Sequence, residues 1–292
     1  MDGAMGTMLQ QYANREEQFA TGELAAWRVP LKGNYDLLNL TRPHLVRHIH
    51  QQYVDAGADI ITTNTINSNC MAQSAFLCEG YARRMALEGA KIAKSVAQAQ
   101  AKPVWVAGSV GPMNRGISSA VEKQEEMTAQ YVEAYAEQVH ALVEGGVDVI
   151  LVETCYDVLN CKAALTAIQS LNHEVPVMVT ATVNPATGRM LCGHTIEEFY
   201  AEISNYQILA IGLNCMQANE QSIPWIKALA GTGKPIIFCP NAGFPNHRGE
   251  YPDSPHQIAA FMHRLASHHL IHIAGGCCGT TPAHIRATST PA

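Results

Sequence analysis

The sequence predicts an α/β fold, a (β/α)8 barrel of the TIM type, and three observations support this prediction. From about residue 43 onward, short apolar runs rich in β-branched residues alternate with stretches of helical periodicity. The runs begin roughly 27 to 46 residues apart, the length of a strand, a helix and two loops, which implies a parallel sheet with right-handed crossovers. No G-x-G-x-x-G follows the first strand, which weakens the alternative of a doubly wound, dinucleotide-binding sheet.

The first of the eight units is placed at the start of the chain, where residues 1–5 are a candidate strand. Eight units are the number that closes a barrel. Only Met1 precedes Asp2, so either this strand is truncated or the start is placed late. Residues 10–42 form the least regular stretch and are predicted as a long insertion after the first strand.

Seven clear strands follow, each an apolar run that ends in polar or glycine residues. The first is preceded by a helix that starts near Pro43 and places Leu45, Ile49 and Val54 at helical spacing. Further helices are predicted before residue 100, before Gly145, and over residues 158–171 and 256–268. The strands are residues 58–65, 104–110, 147–153, 176–183, 208–214, 235–240 and 270–275.

Composition indicates one domain with a large core. The chain has 292 residues, of which 47% are apolar and 15% charged, and residues 1–292 are predicted as a single barrel although length alone suggests two domains. A net charge of −6 disfavours nucleic acid and anionic membranes as partners. The start lacks a secretory pattern and no run reaches about 20 apolar residues, so a cytoplasmic protein is expected.

Three of the nine cysteines form the strongest candidate site. Cys215 follows one predicted strand and Cys277 and Cys278 follow another, and strand ends build the site of a barrel. Three thiolates suit zinc and leave a fourth position open, the catalytic pattern that would bind and deprotonate a substrate thiol. The alternatives are small buried residues or a strained vicinal disulfide between Cys277 and Cys278. The other six cysteines are predicted to be structural.

Further candidates lie at other strand ends. The carboxylate of Glu153 ends a strand and would point into the barrel mouth, where it could hold a substrate ammonium or, alternatively, form a salt bridge. The turn at Asp2 and Gly3 can offer backbone N–H groups to a carboxylate. Asn64, at the end of the next strand, is a third candidate for substrate binding. Residues 275–279 could instead grip a phosphate, as in a flavin- or phosphate-binding barrel, but their paired cysteines favour a metal.

Four motifs resemble the homocysteine S-methyltransferase family. They are DGAMGT at residues 2–7, AGADIITTNT at 56–65, GLNC at 212–215 and GGCCGTTP at 275–282, and the resemblance covers nearly the whole chain. Within the family, residues 106–115 and 240–245 are most similar to the homocysteine-binding module of the cobalamin-dependent methionine synthases.

This resemblance implies a zinc barrel that makes methionine. Zn²⁺ would be held by Cys215, Cys277 and Cys278, and the zinc-bound homocysteine thiolate would attack a methyl group. By the same resemblance, Glu153 would hold the amino group of the substrate, and the turn at Asp2 and Gly3 would receive the carboxylate of the substrate. Asn241 would give zinc an oxygen ligand when the substrate is absent.

The methyl donor implied by the resemblance is methylcobalamin on a separate protein or domain. A chain of 292 residues is too short for the folate, cobalamin and activation modules of the full enzymes, so a corrinoid protein or cobalamin domain is the expected partner. The alternatives are an enzyme that uses S-methylmethionine or S-adenosylmethionine, and a non-catalytic module that binds homocysteine or zinc.

Overall fold

A curled, all-parallel sheet forms the centre of the computed structural model, which describes residues 1–171 and 173–290. Its strands pair in chain order, so each neighbour in sequence is also the neighbour in space. This order, with helices between successive strands, confirms the predicted TIM-type α/β fold. The strands are β1 Ile60–Thr62, β2 Trp105–Val110, β3 Val149–Cys155, β4 Val177–Ala181, β5 Ala210–Gln217, β6 Ile236–Asn241 and β7 Ile273–Ala274.

The helices lie where the helical patterns predict them. The long helices α5 and α6 end before the predicted turns near residue 100 and at Gly145. The α-helices are α1 Gly6–Tyr12, α2 Leu38–Thr41, α3 Pro43–Asp55, α4 Cys70–Gln73, α5 Ala82–Gln98, α6 Gln124–Glu144, α7 Val158–Ser170, α8 Ile196–Ile203, α9 Ile223–Ala230, α10 Pro255–Ser267 and α11 Pro282–Ser289. Short 3-10 helices span Glu16–Gln18, Gly22–Leu24, Tyr35–Leu37, Ser74–Phe76, Glu79–Tyr81, Ile117–Ser119, Val121–Lys123 and Glu220–Ser222.

Side chains at the helix starts explain several of these boundaries. The Thr195 hydroxyl accepts a hydrogen bond from the Glu198 amide while the Glu198 carboxylate accepts one from the Thr195 amide, which is a capping box at the start of α8. Ser254 caps α10 in the same way, and Pro255 takes the first helical position, where no amide donor is needed. None of the helices in the described ranges is long and apolar enough to cross a membrane.

The start of the chain closes the gap between β7 and β1 without forming a regular strand. The Asp2 amide donates to the Ile60 carbonyl at 2.8 Å, and the Gly276 amide donates to the Asp2 carbonyl at 2.9 Å. The Met1 nitrogen donates to the Ala274 carbonyl at 2.5 Å. The strand predicted over residues 1–5 is therefore wrong as a regular element, because only two residues bond to the edges before the chain turns into α1.

Two apolar layers surround the sheet. The larger lies between the strands and the helices, and the smaller fills the barrel interior with side chains from every strand. Close approach inside the barrel requires glycine at Gly212, where an added Cβ would lie 1.9 Å from the Ile237 carbonyl oxygen. The interior layer consists of Ala107, Val149, Leu151, Met178, Ala210, Ile237 and Cys239, with Met1, Ile60 and Ile273 packed against it.

Candidate active site

A cavity of about 620 Å³ opens at the carboxyl ends of the strands, above the interior layer. Its volume lies within the range of about 300–1,000 Å³ that is usual for small-molecule sites. Seven of the eight candidate residues line it, and the eighth, Asn241, lies at the end of β6 outside the lining. The seven lining residues are Asp2, Gly3, Asn64, Glu153, Cys215, Cys277 and Cys278.

The three candidate cysteines converge at this cavity. The Cys215 Sγ atom lies 3.1 Å from Cys277 Sγ and 3.8 Å from Cys278 Sγ. All three sulfur atoms lie within 4.8 Å of one another, and no disulfide links any cysteine of the described residues. The structure thus places together the three thiols that the sequence assigned to one site, and the vicinal disulfide is not formed.

Mutual hydrogen bonds make the three thiols unequal. The thiols of Cys215 and Cys277 hydrogen bond to Cys278 and hold the pKa of Cys278 well below its usual range. The hydrogen bonds with Cys215 and Cys278 raise the pKa of Cys277 instead. The three thiols therefore form one coupled cluster, with the Cys215 sulfur in contact with both of the others.

Backbone contacts hold the two cysteine-bearing segments in place. The Cys277 amide donates to the Pro240 carbonyl at 2.7 Å, and the Ala242 amide donates to the Cys278 carbonyl at 2.9 Å. Gly279 turns with a φ of +79°, and an added Cβ there would lie 2.1 Å from Cγ of the Tyr251 ring. The loop after β6 therefore packs directly against the segment that carries two of the thiols.

Glu153 lies on the interior face of the sheet at the end of β3, because it continues the alternation of Val149 and Leu151. The Ser109 hydroxyl donates to Glu153 Oε1 at 2.5 Å. Burial raises the pKa of Glu153 to about 7, the Ser109 hydrogen bond opposes this shift, and the charge of Asp2 adds to it. Among the described residues no cation pairs with Glu153, so the salt bridge considered as an alternative is not formed.

Asp2 is buried and its carboxylate is held by β1. The Thr62 amide donates to Asp2 Oδ2 at 2.7 Å and the Thr62 hydroxyl donates to Oδ1 at 2.8 Å. Burial raises the pKa of Asp2 to about 7, although the hydrogen bonds from Thr62 lower it. At Gly3 an added Cβ would lie 2.7 Å from Thr280 Oγ1, so a larger residue would push this turn away from the cysteine segment.

The two candidate asparagines have different surroundings. The Asn64 side-chain amide donates to the Tyr35 carbonyl at 2.8 Å and to Asn39 Oδ1 at 3.1 Å, so its N–H groups bond to the 3-10 helix Tyr35–Leu37 and to α2. Asn241 is buried at the end of β6, and its Oδ1 has no hydrogen-bond partner in the described part of the chain. An oxygen that lacks a partner at such a position is available to an absent ligand.

Several polar residues of the site were missed from the sequence. Ser109 and Thr180 each follow an interior residue by two positions, so strand alternation could have identified both. Thr180 is 1% exposed, and its hydroxyl has no partner among the described residues. The other residues missed are Asp36, Thr62, Thr154, Asn214 and Tyr251.

The Asp and Glu side chains that line the cavity have no Lys, Arg or His side chain beside them in the described part of the chain. Asp2, Asp36 and Glu153 line it, while the described residues contribute no Lys, Arg or His side chain to it. Asp36 accepts hydrogen bonds from the Asn67 amide and the Ser68 hydroxyl, each at 2.8 Å, and burial raises its pKa to about 6. A ligand group that carries positive charge would be stabilised here.

Comparisons with known proteins agree with this architecture. A family model described as homocysteine S-methyltransferase matches residues 1–290. The metallated form of the homocysteine methyltransferase MmuM from Escherichia coli is similar at 23% identity and a TM-score of 0.73, over 99% of this chain and 94% of that chain. The oxidized form of the same enzyme is 22% identical with a TM-score of 0.73, and the apo form is 21% identical with a TM-score of 0.71. Both matches cover 98% of this chain and 93% of that chain. The structural matches establish the fold, and the family match over nearly the full length establishes that this chain belongs to the homocysteine S-methyltransferases.

Proposed function

We propose that this methyltransferase is a zinc-dependent enzyme that converts homocysteine to methionine. The observation that carries the proposal is the convergence of three free cysteines on a cavity that also holds an unpaired carboxylate. Residues 1–292 would act as one homocysteine-binding domain. Nine free cysteines suit a reducing compartment, which supports a cytoplasmic location.

The residues present fit a zinc ion. Cys215, Cys277 and Cys278 supply three soft sulfur ligands, and the unpartnered oxygen of Asn241 is a candidate for a fourth in the absence of substrate. When bound, zinc would keep a substrate thiol deprotonated at neutral pH, where a free thiol with a pKa of about 8.5 is mostly protonated.

The chain's own residues would hold the amino-acid end of homocysteine. Glu153 has no cationic partner among the described residues and is therefore free to pair with the substrate ammonium. The Gly3 amide makes no hydrogen bond to any described residue, so it can donate to the substrate carboxylate beside Asp2. Asn64 lines the same cavity and is proposed as a further contact. Fixing this end leaves the sulfur in an orientation from which it can attack the methyl carbon while the bond to the donor breaks.

We expect Thr180→Val to raise the KM for homocysteine by roughly 10- to 100-fold with little change in kcat, because a hydrogen bond to a charged group contributes about 1.5–3 kcal/mol. Thr180 lies on β4 opposite the end of β3, and its unpartnered hydroxyl can accept a hydrogen bond from the ammonium that Glu153 holds. Steady-state kinetics measure the effect, with the exposed Thr166→Val variant as control. An unchanged KM in a normally folded Thr180→Val protein would contradict this role.

For the methyl donor we propose methylcobalamin carried by a separate corrinoid protein or cobalamin domain. The similarity of residues 106–115 and 240–245 to the methionine synthase module supports this donor. The cavity itself favours a second candidate, a methylsulfonium compound such as S-methylmethionine or S-adenosylmethionine. Its three carboxylates and the rings of Tyr35, Phe76 and Tyr251 would stabilise a positively charged donor.

Methionine formation by the purified, zinc-loaded protein tests both candidates. The protein would be incubated with homocysteine and, separately, methylcobalamin, S-methylmethionine or S-adenosylmethionine, and methionine measured by mass spectrometry. We expect methionine with methylcobalamin and about one zinc per chain. Methionine formation with a sulfonium compound but not with methylcobalamin would make the sulfonium compound the donor. If no donor yields methionine, the non-catalytic module is favoured. Freshly purified, reduced protein without zinc would contradict the metal site.

A further inference from the structure

Two residues of the candidate site, one of them a candidate metal ligand, have an unusual backbone conformation. Thr154, directly after Glu153, has a φ of +59°, and Cys215 has a φ of +58°. A β-branched residue is rarely found at positive φ, and such conformations persist only where the surroundings enforce them. Both positions coincide with register shifts, the first between β3 and β4 and the second between β5 and β6.

One side chain connects these two positions. The Thr154 amide donates to Asn214 Oδ1 at 3.1 Å, and Asn214 Nδ2 donates to the Thr154 hydroxyl at 2.7 Å. Asn214 is 2% exposed and lies on β5, which is separated from β3 by β4. Its amide therefore reaches across the end of β4 and fixes the twisted segment that follows Glu153.

The same amide also contacts the metal-ligand segment. Asn214 Nδ2 lies 3.8 Å from Cys277 Sγ, within hydrogen-bonding distance for a sulfur acceptor. A primary amide carries two N–H donors, so one can serve the Thr154 hydroxyl while the other points to the sulfur. Asn214 is thus placed between the group proposed to bind the substrate amino end and a thiol proposed to bind the metal.

We propose that Asn214 is a positioning residue that sets the separation between Glu153 and the metal and donates a hydrogen bond to the Cys277 thiolate. The inference rests on the proposed function. The short side chain of homocysteine limits the distance between its nitrogen and its sulfur, so the carboxylate and the metal must be held at a separation that one conformation of the substrate can span. A hydrogen bond to a ligating thiolate also withdraws electron density from the sulfur and tunes the metal.

Two variants separate the two roles. Asn214→Asp keeps the acceptor for the Thr154 amide and can accept from the Thr154 hydroxyl, but it loses the N–H donor to Cys277. Thr154→Val keeps the shape of the side chain and leaves the Asn214 amide free to donate to Cys277, but it removes one bond of the link to β3. Thr154→Ser restores the hydroxyl and serves as the matched control.

The readouts are the spectrum of the cobalt(II)-substituted protein, zinc affinity by chelator competition, and steady-state kinetics. In Asn214→Asp we expect the thiolate-to-cobalt charge-transfer band to move to longer wavelength, and zinc affinity to fall about 10- to 100-fold, as for other residues that support metal ligands. In Thr154→Val we expect an unchanged spectrum and a KM for homocysteine raised about 3- to 10-fold, the loss of one neutral hydrogen bond. Thr154→Ser should behave as wild type.

An unshifted charge-transfer band in folded Asn214→Asp, or an unchanged KM in folded Thr154→Val, would overturn the inference while leaving the metal site intact. Wild-type protein that binds neither zinc nor cobalt would instead overturn the proposed function on which the inference rests. If Asn214→Asp does not fold, the comparison of Thr154→Val with Thr154→Ser still decides whether the link positions Glu153.

Discussion

Replacing Cys277 with alanine is expected to remove the metal and to abolish methionine formation. Cys277 is one of the three sulfur ligands that we propose, and its Sγ lies 3.1 Å from that of Cys215. A metal left with two thiolates is held far less tightly, so the loss of activity should exceed the roughly 10- to 100-fold that accompanies loss of a residue supporting a ligand. Zinc per chain, measured by elemental analysis after purification under reducing conditions, should fall from about one to near zero.

Cys161→Ala is the matched control for this variant. Cys161 is also a buried thiol, but it lies on α7 outside the cysteine cluster. We expect it to retain its zinc and its activity and to lose only packing energy. Equal zinc contents in Cys277→Ala and Cys161→Ala would contradict the assignment of the metal to the three cysteines.

The second large effect is expected for Glu153→Gln, which should reduce kcat/KM for homocysteine by roughly 30- to 4,000-fold, mainly through KM. The substitution keeps the shape of the side chain but removes the negative charge that we propose to pair with the substrate ammonium. Truncating one partner of a buried charge pair costs about 2–5 kcal/mol, which corresponds to this range. The exposed Glu122→Gln variant, in the 3-10 helix Val121–Lys123, is the control, and equal KM values in the two variants would contradict the role of Glu153.

The same substitution is expected to stabilise the metal-free protein at neutral pH. Burial raises the pKa of Glu153 from 4.5 to about 7, so the native state binds this proton more tightly than the unfolded chain does. Stability therefore falls as the pH rises from about 4.5 to about 7, and above that window the ionised group costs up to about 3 kcal/mol. Glutamine does not titrate and escapes this cost.

Urea unfolding at pH 5 and pH 8 measures this second effect. The quantity compared is the difference in the free energy of unfolding between Glu153→Gln and wild type. We expect this difference to be larger at pH 8 than at pH 5, by roughly 1–3 kcal/mol in favour of the variant. A difference that is the same at both pH values would mean that Glu153 is not destabilised by its surroundings.

Much of the fold and the centre of the site could be predicted because both follow from local patterns. Apolar runs identify β2 to β6 within a few residues, since a strand covered by helices must be apolar on both faces. The convergence of Cys215 with Cys277 and Cys278 follows from parallel topology alone, because the carboxyl ends of all strands meet at one face.

The parts that could not be predicted depend on partners far away in sequence. The positive φ of Thr154 and Cys215 has no local cause such as glycine, and the link through Asn214 joins residues 60 positions apart. Strand alternation places Thr180 inside the barrel, but only the packed structure shows that its hydroxyl has no partner. The short edge strands β1 and β7 likewise reflect contacts with Asp2 and Gly276 that no local pattern contains.

The bonds that join Asp2 to both Ile60 and Gly276 affect how the site assembles during folding. The contact between Asp2 and Gly276 joins residues that are far apart in the sequence, so its formation carries a large loop-closure entropy and is slow compared with the pairing of neighbouring strands. A chain that is still being synthesised can pair β1 to β6 while it lacks Cys277 and Cys278. The proposed metal site can therefore form only after residue 278 has been synthesised and the segment after β7 meets Asp2.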